Sequence, residues 1–316
     1  MKFLTTLMGG AAAMLLPLAA TAQDYPAQPI TIIVPYSAGG GGDTVARLVS
    51  DRLGQELGVQ LNVVNRPGAG GEIGIAEIAA ADADGYTLGV FGYPDNFVIE
   101  STREVSFNSE QDLDFLAQFD STPMGVFARP GAAFSNLDEL RAHAEENPGA
   151  VIVGDSGSLG LLNALAFGDK LGATLTPVRY AGGGELMNAI MGGHIDLAST
   201  SSMSHDPIVD AGGAPLAFAS AERMEMFPDV PTLRELGIDQ VMEVGRVMVA
   251  PAGLPDDVRA RLTEALDAMS TDEDLIARFE TAALPYAYLG SDEVNAKVTE
   301  TNAALAEVIE ANSEQF

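Results

Sequence analysis

Four consecutive glycines at positions 39–42 stand between a β-branched run at 30–34 and a stretch with helical spacing from Thr44. Because glycine has no Cβ and adopts positive φ freely, the amide N–H groups of such a turn can face a ligand directly. Asp43 is placed to cap the following helix, whose free amides and positive dipole end favour a carboxylate or phosphate. The segment predicts a strand, an anion-binding loop and a helix, with a plain tight turn as the alternative.

The same order of elements recurs along the chain with short connections. Strand 59–64, a second glycine turn at 65–71, a short helix and strand 86–91 complete a βαβαβ unit, for which a parallel sheet is expected. From residue 150 a second such unit follows with a different sequence. We predict an α/β fold of two lobes, each a mainly parallel sheet flanked by helices, with ligands at the carboxyl ends of the strands.

Two extended apolar segments, 115–127 and 241–249, separate the units and are interpreted as hinge crossings. Helices near 258–269 and 294–309 carry apolar stripes that should pack on the first lobe. The expected division is a signal peptide at 1–22, a first lobe at 23–120 and 247–316, and a second lobe at 121–246.

The N-terminus has the features of an export signal. Lys2 precedes a short apolar stretch at 8–19 and a small-x-small site that ends at Ala22. We expect cleavage after Ala22 and location in the periplasm. Direct membrane insertion of the mature chain is not expected, because the apolar stretch is short for a span of about 20 residues and contains glycine and proline. The chain has no cysteine, so neither a lipid attachment site nor a disulfide is predicted.

The formal net charge is −29, from 45 acidic and 16 basic residues. Such acidity argues against nucleic acid or anionic lipid as a partner. We interpret it as a solvated surface rather than a binding site. A monomer without a cofactor is expected.

A serine hydrolase is one alternative function. Residues 154–158, Gly-Asp-Ser-Gly-Ser, are similar to the nucleophile segment of trypsin-like proteases, with Ser156 as the candidate nucleophile. Those proteases are all-β folds with an acid–base histidine, whereas this segment joins a predicted strand to a predicted helix.

A nucleotide-binding protein is a second alternative, because Gly68, Gly70 and Gly74 approximate a dinucleotide fingerprint. That fingerprint belongs after the first strand of a Rossmann unit, and the first turn here lacks its spacing.

Residues 82–85 have too few acidic ligands for a calcium loop, and the three scattered histidines predict no metal site.

Five segments in order resemble the periplasmic receptors of tripartite tricarboxylate transporters, the Bug family. They are residues 25–43, Asn-Arg-Pro-Gly-Ala-Gly-Gly at 65–71, Asp-Gly-Tyr-Thr-Leu at 84–88, Phe-Pro-Asp-Val-Pro-Thr at 227–232 and Ala-Pro-Ala-Gly-Leu-Pro at 250–255. The resemblance covers nearly all of the chain after residue 22. It implies a Venus-flytrap fold without catalytic activity that closes on a small carboxylate and delivers it to the permease subunits of a membrane transporter.

The resemblance also implies that the loop at 36–43 and the second-lobe turns at 156–158 and 181–183 line the cleft. Backbone amides and hydroxyls of both lobes would hold the ligand, with Asp43 fixing the loop and residues 65–71 supporting it. The expected ligand-binding residues are Tyr36, Ser37, Ala38, Gly39, Gly40, Gly41, Asp43, Ser156, Gly157, Ser158, Tyr180, Ala181, Gly182, Gly183, Ser199, Thr200 and Arg246.

Two departures from the family pattern fall near the expected cleft. Asp155-Ser156-Gly157 stands where Thr-Pro-Gly is usual, and Arg246 stands where an aromatic residue is usual. One hypothesis is that Arg246 binds a carboxylate in bidentate fashion, with a cationic or hydroxyl-bearing ligand end near Asp155 or a second carboxylate on the glycine loop. The alternative is that Arg246 points outward and pairs with Glu243, and that Asp155 caps the following helix.

Overall fold

The computed structural model describes residues 25–155, 157–180, 183–224, 227–238, 241–282 and 284–311 of the 316-residue chain. The expected signal peptide, its cleavage site and the expected ligand-binding residues Ser156, Ala181 and Gly182 lie outside the described residues. The side chain of Ser158 is likewise not described.

Strands and helices alternate over most of the described chain. The strands are β1 (Ile30–Val34), β2 (Leu61–Asn65), β3 (Thr87–Tyr93), β4 (Leu113–Ala128), β5 (Val151–Asp155), β6 (Leu175–Arg179), β7 (Leu197–Ser201), β8 (Ala214–Phe218), β9 (Glu243–Pro251) and β10 (Tyr286–Leu289). The helices are α1 (Gly41–Leu57), α2 (Glu72–Ala79), α3 (Asp95–Thr102), α4 (Ser109–Asp112), α5 (Leu137–Glu146), α6 (Ser158–Leu171), α7 (Gly183–Met191), α8 (His205–Asp210), α9 (Asp256–Asp267), α10 (Glu273–Thr281) and α11 (Ser291–Ala311).

Two parallel trios of strands correspond to the two predicted βαβαβ units. β1 pairs in parallel with β2 and β3, and β5 pairs in parallel with β6 and β7. Antiparallel strands complete each sheet: β9 pairs with β3, and β7 pairs with β4. Each sheet is therefore mixed, with its parallel part where the crossover helices α1, α2, α6 and α7 lie.

The 16-residue strand β4 takes part in both sheets. Its first part pairs with β9 and β10, and residues 124–128 pair with β7 and β8. β9 runs antiparallel to β4 over residues 243–251, so two strands connect the sheets. β4 contains all of the segment 115–127 and β9 contains residues 243–249 of the segment 241–249, the two segments that the sequence predicted as hinge crossings.

The buried side chains form separate cores beside the two sheets. In the first, α1 packs its apolar positions Val45, Val49 and Leu53 against β1 and against α9. Full burial of each such side chain contributes about 1.5–3 kcal/mol. In the second core, α6 packs Leu162 and Phe167 with β5 and β7. The order of elements and the placement of these cores agree with a two-lobed α/β fold.

The C-terminal helices pack as expected except at the end of α11. α9 and α10 cover the first core, and Val294 and Val298 of α11 pack with β3 and β9. Leu305 and Ile309, further along α11, instead lie with the second core. A helix of 21 residues is about 30 Å long, so one apolar stripe can reach both cores.

Candidate functional site

The glycine loop joins β1 to α1 at the carboxyl end of β1. α1 begins at Gly41 with Gly40 as its N-cap, so the helix starts inside the glycine run. The prediction that Asp43 is the N-cap is therefore wrong, because glycine lets the turn tighten before that residue and Asp43 falls in the first helical turn. Gly39 has φ of 80°, in the left-handed region that glycine enters without strain.

Asp43 holds the loop through its carboxylate. Its Oδ2 accepts a hydrogen bond from the amide of Gly39 at 2.8 Å, and its Oδ1 accepts one from Nδ2 of Asn65 at 2.9 Å. Asn65 also donates to the carbonyl of Tyr36 at 3.0 Å, which is the supporting role expected of the second glycine turn. Burial acts to raise the pKa of the Asp43 carboxyl, but bonds from Arg47, Gly39 and Asn65 outweigh it and lower that pKa.

Tyr36 turns its ring towards the body of the first lobe. Its hydroxyl accepts a hydrogen bond from the amide of Gly92 at 2.9 Å and donates to Oδ1 of Asn96. A Cβ on Gly42 would lie 2.5 Å from the ring, so this position has no room for a side chain. Burial raises the pKa of the Tyr36 hydroxyl, which therefore stays neutral.

The remaining loop residues offer backbone groups to the outside. Ser37, Ala38, Gly39 and Gly40 are exposed. Among the described residues, no group accepts a hydrogen bond from the amide of Gly41 or of its neighbour at position 42. Two free amides thus point out of the first turn of α1.

Arg246 is buried in β9, with 8% of its surface exposed. Its Nη1 donates to Oδ2 of Asp120 and, at 2.7 Å, to Oγ1 of Thr122, both on β4. The alternative pairing with Glu243 is therefore wrong, because residues 243 and 246 are three apart in one strand and so point to opposite faces of the sheet, and Glu243 accepts from Ser121 instead. One side of the guanidinium is fixed by an internal carboxylate.

The other side of the guanidinium lies against the first turn of α1. A Cβ on Gly41 would overlap Nη2 of Arg246 and would lie 3.2 Å from the sulfur of Met203. That sulfur, at 3.6 Å, is the one group in the described ranges that receives a hydrogen bond from Nη2. A cation next to the positive end of a helix is unfavourable unless an anion lies beside both. Nη2 and the free α1 amides are thus positioned to bind one anion together.

Among the second-lobe site residues, Asp155 has a buried carboxylate, whereas Met203 reaches Arg246 from the turn after β7. Asp155 ends β5, is 2% exposed and accepts from Nε of Arg179 at 3.2 Å. Burial raises the pKa of Asp155, the charge of Arg179 opposes that rise, and the charge of Asp95 adds to it. The alternative that Asp155 only caps the following helix is wrong, because its buried carboxylate pairs with the half-exposed Arg179 of β6.

The N-terminus of α6 receives a first-lobe carboxylate that the sequence analysis did not single out. Asp95, the first residue of α3, accepts a hydrogen bond from the amide of Leu159 at 3.1 Å. A Cβ on Gly157, the N-cap of α6, would lie 2.9 Å from Oδ1 of Asp95. No local signal marked Asp95, because its partner is 64 residues away.

The other described residues of the second lobe that were expected to bind the ligand lie on several separate elements. Ser199 and Thr200 lie within β7 rather than in a turn, because that strand continues to pair with β4 and β5. Thr200 Oγ1 lies 3.3 Å from the hydroxyl of Ser204. Tyr180 donates its amide to the carbonyl at the end of β5, and Gly183 begins α7 in open space.

The described residues were also compared with the requirements of a metal site and of a membrane-spanning helix. His205 lies 2.8 Å from a carboxylate oxygen of Asp206 and stacks on Phe227 at 3.7 Å between ring centroids. Within the described ranges, no three histidine or acidic side chains form a group that could hold a metal ion. None of the helices in the described part of the chain has both the length and the apolar character needed to cross a bilayer.

Comparison with known families gives a match over most of the chain. Residues 45–313 match the sequence model of the tripartite tricarboxylate transporter family receptors. A protein of Agrobacterium vitis, described as a UPF0065 protein in the TAR-I ttuE-ttuC′ intergenic region, is 34% identical over 273 residues, which are 84% of this chain and 79% of that relative.

Solved structures agree with this match. A periplasmic transporter protein is 29% identical, with a TM-score of 0.81 over 90% of this chain and 97% of that protein. The periplasmic binding protein BugD is 25% identical, with a TM-score of 0.79 over 91% of this chain and 98% of that protein. The fold is therefore the two-lobed one of periplasmic binding proteins.

Proposed function

The chain belongs to the receptor family of tripartite tricarboxylate transporters, and from this premise we propose that it binds a small carboxylate between its lobes. Members of this family are solute-binding proteins. The observation that carries the carboxylate assignment is the meeting of Nη2 of Arg246 with the free amides at the start of α1. A guanidinium and oriented amides together form strong, charge-assisted hydrogen bonds to a carboxylate.

Each group has a distinct part in the proposed site. Asp43 fixes the glycine loop, the amides of Gly41 and Gly42 donate to the carboxylate, and Arg246 supplies the opposite charge from β9. Because Asp120 already engages Nη1 of Arg246, the guanidinium is held in place before the ligand arrives. Pre-organisation of this kind reduces the entropy that binding costs.

The second lobe completes the proposed site when the lobes close about β4 and β9. Hydroxyl groups near the end of β7, including that of Thr200, face the ligand from that side. Closure shifts an existing equilibrium between open and closed forms by the ligand's greater affinity for the closed form. The role is delivery of the bound acid to the membrane permease, without a catalytic step.

The proposal includes the cellular route of the protein. The signal peptide is removed after Ala22, the mature chain acts as a monomer in the periplasm, and it contacts the permease subunits of a tripartite tricarboxylate transporter. Mass spectrometry of the protein from the periplasmic fraction tests the cleavage site. Its mass should equal that of the chain without residues 1–22.

A thermal-shift panel tests the ligand class. The purified mature chain is heated with di- and tricarboxylates, aromatic acids, amino acids and sugar acids, with neutral sugars as negative controls. A ligand at 100 times its Kd adds about 2.7 kcal/mol to the free energy of unfolding and so raises the Tm. If none of the acids raises the Tm, the proposed function is wrong.

Calorimetry with the best acid tests the role of Arg246. Loss of a buried charged partner costs about 2–5 kcal/mol in binding, so Arg246→Ala should weaken Kd by roughly 30-fold or more, and Arg246→Lys should not restore it because lysine lacks the planar fork. Arg278→Ala, which removes an exposed arginine paired with Asp51, is the control and should leave Kd unchanged. A loss below about fivefold in both Arg246 variants would remove this residue from the site.

A further inference from the structure

Asp95 makes a contact between the lobes that the proposed site does not require. Asp95 is the first residue of α3, which follows β3 of the first sheet, yet its carboxylate lies at the N-terminus of α6 in the second lobe. The amide of Leu159 donates to Oδ1, and a Cβ on Gly157 would lie 2.9 and 3.1 Å from its two oxygens. The carboxylate of Asp95 thus occupies the amide end of α6.

Apolar packing holds Asp95 in this position. Val98, one turn further along α3, is fully buried and belongs to the same core as Leu159 and Leu162 of α6. The two helices are therefore held together by side chains as well as by the hydrogen bond. Separating α3 from α6 would therefore expose apolar side chains as well as break the hydrogen bond.

The charges around this contact are unbalanced. Burial raises the pKa of the Asp95 carboxyl, whereas the bond from the Leu159 amide and the charge of Arg179, the cation beside Asp155, oppose that rise. Arg179 is about half exposed, so water weakens its effect on both acids. Two carboxylates therefore share one partly screened guanidinium at the second-lobe end of the cleft, whereas the first-lobe end has Arg246 and the α1 amides.

We propose that Asp95 is a specificity-determining residue that makes the receptor selective for monocarboxylates. Its carboxylate takes the position at the start of α6 that a second ligand carboxylate would need, and its charge repels one placed beside it. The ligand then has one carboxylate on Arg246 and the α1 amides and an opposite end that is neutral or cationic. This inference rests on the proposed function and adds the class of acid to it.

Matched pairs of acids test the proposal on the unmodified mature chain. Isothermal titration compares butyrate with succinate and hexanoate with adipate, each pair having the same carbon chain and differing by one carboxylate, and includes 4-aminobutyrate as a cationic counterpart. Like charges brought together at an interface cost several kcal/mol. In any pair whose monocarboxylate binds, the Kd of the dicarboxylate should therefore be at least about tenfold weaker. A dicarboxylate that binds as tightly as its monocarboxylate partner, or more tightly, would overturn the proposal.

Two variants separate the charge of Asp95 from its place in the fold. Asp95→Asn keeps the acceptor for the Leu159 amide but removes the charge, and Gly157→Ala moves the carboxylate away from α6, at a φ of −167° that alanine adopts freely. In both variants, the Kd values of the monocarboxylate and the dicarboxylate of a pair should differ by less than about threefold. Asp138→Asn, which removes an exposed acid from the first turn of α5, is the charge-matched control and should keep the wild-type preference.

The outcomes distinguish this inference from the proposed function. If the wild-type chain binds acids but Asp95→Asn and Gly157→Ala keep its selectivity, Asp95 has only a structural role and the inference is wrong while the receptor function stands. If no acid of either class binds the wild-type chain, the proposed function is wrong and the inference with it. Circular dichroism of each variant confirms that a changed preference comes from a folded protein.

Discussion

Asp43 determines the shape of the glycine loop at the scale of single residues. Its two carboxylate oxygens bind the amide of Gly39, Nδ2 of Asn65 and the side chain of Arg47. Asp43→Ala leaves all three donors without their acceptor. Hydrogen bonds to a charged group contribute about 1.5–3 kcal/mol each before relaxation, so we expect a loss of about 2 kcal/mol in unfolding free energy together with weaker ligand binding. Urea denaturation and calorimetry measure the two effects.

Asp51→Ala is the matched control for this variant. Asp51 lies on the same helix and pairs with Arg278, but its side chain is 63% exposed, so its loss should change stability by less than about 1 kcal/mol and leave affinity unchanged. Unchanged affinity in Asp43→Ala would show that the loop does not depend on this carboxylate.

The same carboxylate gives stability a defined dependence on pH. The pKa of Asp43 in the folded chain is below its ordinary value of 3.8, so its stabilising effect is complete above that value and is lost as the pH falls through the folded pKa. The stability difference between wild type and Asp43→Ala should therefore be constant from pH 7 to about 5 and shrink below 3.8. Urea titrations across this range test it, and a difference that grows towards low pH would contradict it.

Residue chemistry explains which site predictions failed. The glycine run and the family resemblance placed the loop correctly, but nothing local to Asp43 showed that the helix would begin at Gly41. The partner of Arg246 was missed because Asp120 is distant in sequence and becomes its neighbour only when β4 and β9 pair. Asp95 was missed for the same reason, since its contact with α6 exists only between folded lobes.

At the scale of elements, the close approach of α1 to β9 explains why position 41 is a glycine. Gly41→Ala should displace Arg246 and Met203 and so weaken ligand binding, and overpacking of this kind also costs about 1–3 kcal/mol in unfolding free energy. Calorimetry with the best acid measures the change. Gly184→Ala is the control, because a Cβ at this position near the start of α7 meets nothing within 4 Å. Equal affinities of the two variants would show that the first turn of α1 is not part of the site.

Periodicity predicted the elements that depend on local sequence and missed those that depend on long-range pairing. Both parallel trios and their crossover helices were predicted, because apolar alternation and glycine turns mark them directly. β8 and β10 were not predicted, since they are short edge strands that form by pairing with β4. The apolar stripe of α11 was predicted, but a stripe does not indicate how its two ends divide between two cores.

At the scale of the whole molecule, the Asp95 contact affects the balance between open and closed forms. A hydrogen bond to a charged acceptor is worth about 1.5–3 kcal/mol, so it favours the closed form even without ligand. Gly157→Ala should shift the ligand-free protein towards the open form by a factor of about 10 or more in the equilibrium constant. Small-angle scattering should then give a larger radius of gyration for this variant than for wild type, and saturating ligand should bring the two values closer.

The control for this measurement is Asp138→Asn, which changes the net charge without touching α6. Its radius of gyration should equal that of wild type with and without ligand. Identical values for Gly157→Ala and wild type in the absence of ligand would show that Asp95 does not hold the lobes together.

The insertion of the second lobe between β3 and β9 sets the order in which a newly made chain can fold. β5, β6 and β7 lie within residues 151–201, so their sheet closes over short loops, whereas β3 at 87–93 meets β9 only after residue 243 has been synthesised. Loop-closure entropy grows with loop length, and contacts distant in sequence slow folding. The parallel trio β5–β7 can therefore form while β3 still lacks its neighbour β9, and the first sheet, with the glycine loop that it carries, is completed later.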